Sequence, residues 1–194
     1  MTTGSRPLVV LHGYEDPPGR RRVVDPADPA WRLLEPRGPL ELPGGPAWFA
    51  SDDDGPVEAQ LVASVQLVAA VLAAAGPPDL VTVGGFSQGG AVALALALSG
   101  PIGVEPPARV FCVNGWLPHA TTLTYDPARL VAAGTGVLVV ASTRDEVVLV
   151  QQGRSASRYL ERAGVAVDYV ELPGGHAVGP DALAAVAEWV AATP

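Results

Sequence analysis

Short apolar runs recur along this chain, separated by longer segments with helical spacing, and few folds accept that alternation. PLVVL (7–11), LVTVGGF (80–86), RVFCVNG (109–115), GVLVVAS (136–142) and VAVDYVEL (165–172) are dominated by apolar residues. Strands of that kind are covered on both faces. RLLE (32–35) is a weaker strand between proline-rich stretches. Helices are predicted over 56–75, from Pro56 to just before Gly76, and over 88–99, closed by Gly100-Pro101. Two more follow over 147–163, stopped by Gly164, and over 180–192, with Pro180 and Asp181 near the start. Such a chain builds a mostly parallel sheet of about six strands with helices on both faces. Residues 12–30 and 36–56, rich in Pro, Gly, Arg and Asp, read as surface loops over one end of that sheet. No internal repeat or long linker divides the sequence, so one domain over residues 1–194 is expected.

Charge and cysteine content remove several function classes. The net charge is −8 and no long basic run occurs, which argues against a nucleic-acid surface and against attraction to an anionic membrane. Cys112 is the only cysteine, so neither a disulfide framework nor a cysteine-rich metal site is expected, and its apolar setting reads as core. The N-terminal apolar run LVVL is too short for the centre of a signal peptide. Residues 61–75, interrupted by Ser64 and Gln66, fall short of a membrane span. A soluble, cytoplasmic protein without membrane insertion is the expectation.

The stretch GGFSQGG (84–90) lies where a strand meets a helix. Gly85-Phe86-Ser87-Gln88-Gly89 fits G-x-S-x-G in the setting that pattern requires. The turn is sharp, so residues two positions either side of the serine must lack bulk, and Gly85 and Gly89 do. Such a turn lifts the Ser87 hydroxyl above the sheet edge and aims the Gln88 N–H, at a helix start, into the same space. A serine needs a base and an acid that orients it, in the chain order Ser, Asp or Glu, His. Asp145 follows the strand 136–142, and His176 follows the strand 165–172, so three strand ends supply the three groups. A second oxyanion donor is expected from the loop after the first strand, where HGYED (12–16) offers the N–H of Tyr14. His12 is read as a loop-orienting hydrogen-bonding residue and His119 as solvated. Three histidines this far apart do not make a zinc site.

At these residues the sequence resembles the phospholipase/carboxylesterase family of α/β-hydrolases. LHGYED is similar to that family's L-H-G-x-G-D, AWFA (47–50) to W-[FY]-D, and GGFSQGGAVAL to its G-F-S-Q-G-G block. NGWLP (114–118), TRDEVV (143–148) and GGH (174–176) continue the likeness to the C-terminal part. The resemblance implies a reduced α/β-hydrolase fold without a large lid domain. It implies cofactor-free, metal-free hydrolysis of short to medium acyl esters or thioesters by Ser87, Asp145 and His176, with Tyr14 and Gln88 forming the oxyanion hole. Trp48, Phe49, Trp116 and Leu117 are expected to line the substrate pocket, and a homodimer is compatible with the reading. Two other readings stay open: a specialised hydrolase that forms or opens lactones, and a non-catalytic binding protein on the same fold. Glu15 stands where the family has glycine. A carboxylate about 6 Å from the oxyanion would cost roughly 3 kcal/mol at an effective dielectric of 20. Two readings of Glu15 therefore stay open: it points away, paired with Arg20, Arg21 or Arg22, which is the favoured expectation, or it serves a substrate group. Ala50 replaces the family's aspartate, and the family's N-terminal antiparallel strands are not recognisable, so a smaller sheet is expected.

Overall fold

The computed structural model describes residues 5–20, 28–52, 55–100 and 104–192. In chain order the elements are β1 (Arg6–Leu11), β2 (Trp31–Leu34), β3 (Leu40–Leu42), β4 (Gly45–Ala47), β5 (Ser51–Asp52), β6 (Gly55–Pro56) and α1 (Glu58–Ala75). There follow β7 (Thr82–Phe86), α2 (Gln88–Leu98), β8 (Arg109–Val113), α3 (Ala128–Ala133), β9 (Gly136–Ser142), α4 (Val150–Arg162), β10 (Ala166–Leu172) and α5 (Pro180–Ala191). Six strands form one sheet in the order β10-β9-β8-β7-β1-β2, and every pairing in it is parallel. The strand order reverses between β1 and β7, and open α/β sheets place their sites at such a switch point.

Strand periodicity divides the apolar residues into two cores. Val9, Leu11, Val110, Cys112, Val137 and Val139 face one side and pack with α1, α2, α3 and α4. Leu8, Val10, Phe111, Val113, Leu138 and Val140 face the other and pack with Ala182, Val186 and Val190 of α5. Alternation with a period of two, on strands apolar at nearly every position, makes this two-sided burial possible. All eleven residues of α2 are buried, as a helix apolar all round requires. The helix α1 is long and apolar enough to cross a membrane by length and composition, although 61–75 falls short in the sequence reading. Its Leu61, Ser64, Val65, Val68 and Leu72 are buried against the core.

The strand runs and most helices fall where the sequence places them, with adjustments that have local causes. Gly55 and Pro56 pair with Asp52 and Ser51 in a two-stranded ribbon, so α1 begins at Glu58 and not at Pro56. The strand 109–115 stops at Val113 because Asn114 turns to φ 47. The N–H groups of Val147 and Val148 are taken by the Asp145 carboxylate, and α4 starts only at Val150. One loop assignment is overturned. Residues 36–56 are not only surface loop, because Ala47, Trp48 and Phe49 are fully buried. The small helix α3 and the ribbons β3–β4 and β5–β6 have no counterpart in the sequence reading.

Candidate active site

Ser87 occupies the turn between β7 and α2 with φ 52 and ψ −118, a conformation rarely held by a residue with a side chain. Neighbouring backbone over-determines it. The Ser87 N–H donates to the Val113 carbonyl at 2.8 Å, and the Ser87 carbonyl accepts from the Ala91 N–H at 3.0 Å. A Cβ at Gly85 or Gly89 would collide with the carbonyl oxygen of Leu11, so the elbow lies directly against the end of β1. Both glycines are demanded by that close approach.

Leu172 of β10 pairs with Ser142 of β9, so the residues just beyond these strands emerge at one end of the sheet. There the His176 Nδ1–H donates to Asp145 Oδ2 at 2.7 Å, and Ser87 Oγ lies 2.9 Å from His176 Nε2. With the Nδ1 proton directed at the carboxylate, Nε2 is free to accept the serine hydroxyl proton. The other carboxylate oxygen of Asp145 accepts the N–H groups of Val147 and Val148 at 2.9 and 2.8 Å. Asp145 is thereby fixed, with its side chain wholly shielded from solvent. The Phe86 ring lies 4.8 Å from the imidazole. The Asn114 side chain donates from Nδ2 to the Ala177 carbonyl at 3.0 Å, tying the end of β8 to the histidine loop. The structure thus brings Ser87, Asp145 and His176, taken from three strand ends, into one hydrogen-bonded line.

The loop after β1 is braced from beneath. His12 donates from Nδ1 to the Gly13 carbonyl at 2.7 Å and accepts the Gly38 N–H at Nε2, 2.8 Å away. Its ring stacks on Trp48 at 4.8 Å, and the Trp48 indole N–H donates to the His12 carbonyl. Burial lowers the His12 pKa, which favours the neutral ring that both bonds require. His12 is the loop-orienting residue anticipated, and His119 is exposed. The Gln88 side chain completes the brace: Oε1 accepts the Trp48 N–H at 2.8 Å and Nε2 donates to the Phe49 carbonyl. As the first residue of α2, Gln88 has a backbone N–H with no acceptor inside the helix. Cys112 is buried, and desolvation pushes its thiol up to about 12, so it is core and not a nucleophile.

Ser87 and His176 open into a cleft of about 630 Å³. Tyr14, Gln88 and Trp116 line it as anticipated. Trp48 and Phe49 do not, because each is fully buried beneath the cleft in the brace just described. Phe49 instead supports the Trp116 ring from behind, edge to face at 6.2 Å. Leu117 also lies outside the cleft, packed against the core. Val147, Val148, Gln152, Ser51, Asp16 and Arg20 line it without having been singled out for that role, and Glu15 lines it as well. The proximity of Val147 and Val148 to Asp145 in sequence is the signal that could have found them. Glu15 does not pair with Arg20. Its carboxylate accepts the Gly44 N–H at 3.2 Å, while Arg20 pairs with Asp16 at 3.3 Å. Arg21 and Arg22 lie outside the described residues. Among the described residues no cluster of histidine, cysteine and carboxylate side chains could hold a metal ion.

A parallel sheet with a serine elbow at its switch point, an acid and a histidine from later strand ends, and a cleft above them defines the α/β-hydrolase class. Within that class, the model of the Phospholipase/Carboxylesterase family matches residues 36–193, and the chain belongs to that family. A probable carboxylesterase SOBER1-like protein of Arabidopsis thaliana is 31% identical over 156 residues, covering 78% of this chain and 57% of that protein. A probable carboxylesterase of Oryza sativa subsp. japonica is 34% identical over 115 residues, covering 59% of this chain and 42% of that one. The chain spans about half the length of the curated relatives it matches. Among solved structures, Zea mays acyl-protein thioesterase 2 superposes with a TM-score of 0.74 at 27% identity, covering 98% and 94% of the two chains. The Bacillus cereus carboxylesterase shares the fold with a TM-score of 0.76 at 19% identity, over 96% and 88%.

Proposed function

We propose that this protein is a serine hydrolase that cleaves carboxylic esters or thioesters through an acyl-enzyme on Ser87. The observation that carries the reading is the unbroken line from Asp145 through His176 to Ser87, at 2.7 and 2.9 Å, opening into a cleft. His176 Nε2 takes the hydroxyl proton as Ser87 Oγ attacks the acyl carbonyl carbon. The tetrahedral oxyanion is received by the N–H groups of Gln88 and Tyr14. Collapse expels the alcohol or thiol, which leaves with the proton from His176, and the acyl group stays on Ser87. Water then attacks the acyl-enzyme, giving up a proton to His176, and the acid departs as Ser87 recovers its proton. Asp145 holds the ring in the tautomer these transfers need and stabilises the imidazolium. Membership of a family whose relatives include probable carboxylesterases and an acyl-protein thioesterase supports the substrate class.

The test is covalent. A fluorophosphonate probe should label the wild-type chain once, on Ser87, and should not label Ser87→Ala. That variant should lose about 10⁴-fold or more of its turnover of a nitrophenyl ester, with its circular dichroism unchanged. A Ser87→Ala protein that keeps a tenth of the activity would remove Ser87 from the mechanism.

A further inference from the structure

The cleft has two unlike walls, and the strand order puts them on opposite sides of the nucleophile. In the sequence β9-β8-β7-β1 across the sheet, Ser87 follows β7. Trp116 follows β8, and Val147 and Val148 follow β9, so one wall is mainly apolar, with Val147 71% exposed. Glu15, Asp16 and Arg20 follow β1 and make the other wall polar. The Asp16 charge is matched by Arg20. Glu15 has only the Gly44 N–H as a polar partner among the described residues, so its carboxylate has no cation there. Its backbone is held at φ 50, and Gly44 and Gly45 pack directly against it, which fixes the place of Glu15, a residue of the cleft wall. Those two glycines leave no side chain of their own to shield it. Among the described residues, the wall on the β1 side therefore carries one unit of negative charge that no cation matches.

We propose that Glu15 is a specificity-determining residue that favours esters or thioesters bearing a cationic group on one side of the scissile carbonyl and an apolar group on the other. The inference rests on the serine-hydrolase reading. In that reading a carboxylate so near the oxyanion loop opposes a growing negative charge, and a substrate cation held against it removes the opposition. The same cation gains attraction in a partly enclosed cleft, where charges are less screened than on open surface. The ammonium sits against Glu15, and the apolar part lies over Trp116, Val147 and Val148.

The experiment uses two matched pairs of probes. In the first the cation is on the leaving group: acetylthiocholine against its neutral isostere, with tert-butyl in place of trimethylammonium. In the second it is on the acyl group: the nitrophenyl ester of a trimethylammonio-butanoic acid against its tert-butyl isostere. In at least one pair the wild type should prefer the cationic member by about tenfold in kcat/KM. Glu15→Gln, which keeps an acceptor for Gly44, should reduce that preference to about twofold or less, mainly through KM. Raising sodium chloride from about 0.02 to about 0.5 M should compress the wild-type preference without any mutation. Neutral members favoured or equal in both pairs, or a preference that survives both Glu15→Gln and salt, would overturn the role of Glu15 and leave the hydrolase reading intact. Failure to turn over any probe, together with no fluorophosphonate labelling of Ser87, would overturn both.

Discussion

A histidine one residue past a strand of an α/β protein invites a catalytic role, yet His12 is spent on architecture. Its two ring nitrogens are occupied by the Gly13 carbonyl and the Gly38 N–H, and its face lies on Trp48. Protonation would turn the Nε2 acceptor into a donor facing another donor. The pKa of His12 is lowered from 6.5, chiefly by burial, so the folded state favours the neutral ring. Its contribution to stability is therefore complete above the unfolded value of 6.5 and is lost as pH falls below it. As pH falls from 6.5 through the acid range, the wild type should lose stability with a slope from this group of at most about 1.4 kcal/mol per pH unit. His12→Gln, which keeps an acceptor for Gly38, should start less stable at pH 7 and lose less across the same interval. Urea midpoints measured at successive pH values check both statements. Equal acid sensitivity in the two proteins would assign the effect to other groups.

Among the elements, the strands were the most legible part of the sequence. Their apolar runs are dictated by burial on both faces, and GVLVVAS coincides with β9 residue for residue. The serine elbow and its two partners were legible for the same reason, since each follows a strand whose end could be read. The cleft walls were not. Whether Trp48 and Phe49 line the site or lie beneath it depends on the Gln88 side chain, which reaches across 40 residues of sequence to pin their backbone. No local pattern in AWFA reports that contact. The same clamp gives an element-scale expectation. Gln88→Leu removes both bonds and leaves the buried Trp48 N–H and Phe49 carbonyl unpaired. It should cost about 2–4 kcal/mol in urea unfolding and slow fluorophosphonate labelling, because the segment under the oxyanion loop is released. Gln88→Glu, which still accepts from Trp48, should fall between the two. A Gln88→Leu protein as stable as the wild type would mean that the clamp is dispensable.

In the molecule as a whole, the candidate site is assembled from unequal parts. Ser87 stands at the centre of the sheet, between two paired strands and against fully buried α2, whereas His176 hangs from the edge strand β10. Among the described residues only β9 pairs with β10, whose residues are largely half-exposed. Side-chain ties supplement that single ladder. Arg154 of α4 forks onto Glu171 at 2.6 and 2.8 Å, and this guanidinium, with the Tyr169 hydroxyl, holds the Glu171 carboxyl down to about 2. The Trp189 indole of α5 donates to Asp168. Edges open at lower free energy than centres. On slow heating, ester turnover should therefore disappear about 5 °C or more before the far-ultraviolet signal, and amides of β10 should exchange before those of β7. Coincident loss of activity and ellipticity would show that the edge opens only with the whole. The same arrangement also orders events at the ribosome. Ser87 is synthesised 89 residues before its proton acceptor, which arrives 31 residues after Asp145. A nascent chain carries an unarmed elbow until His176 has been made and β10 has paired with β9, so the nucleophile stays silent until the strand that leads to its base has docked.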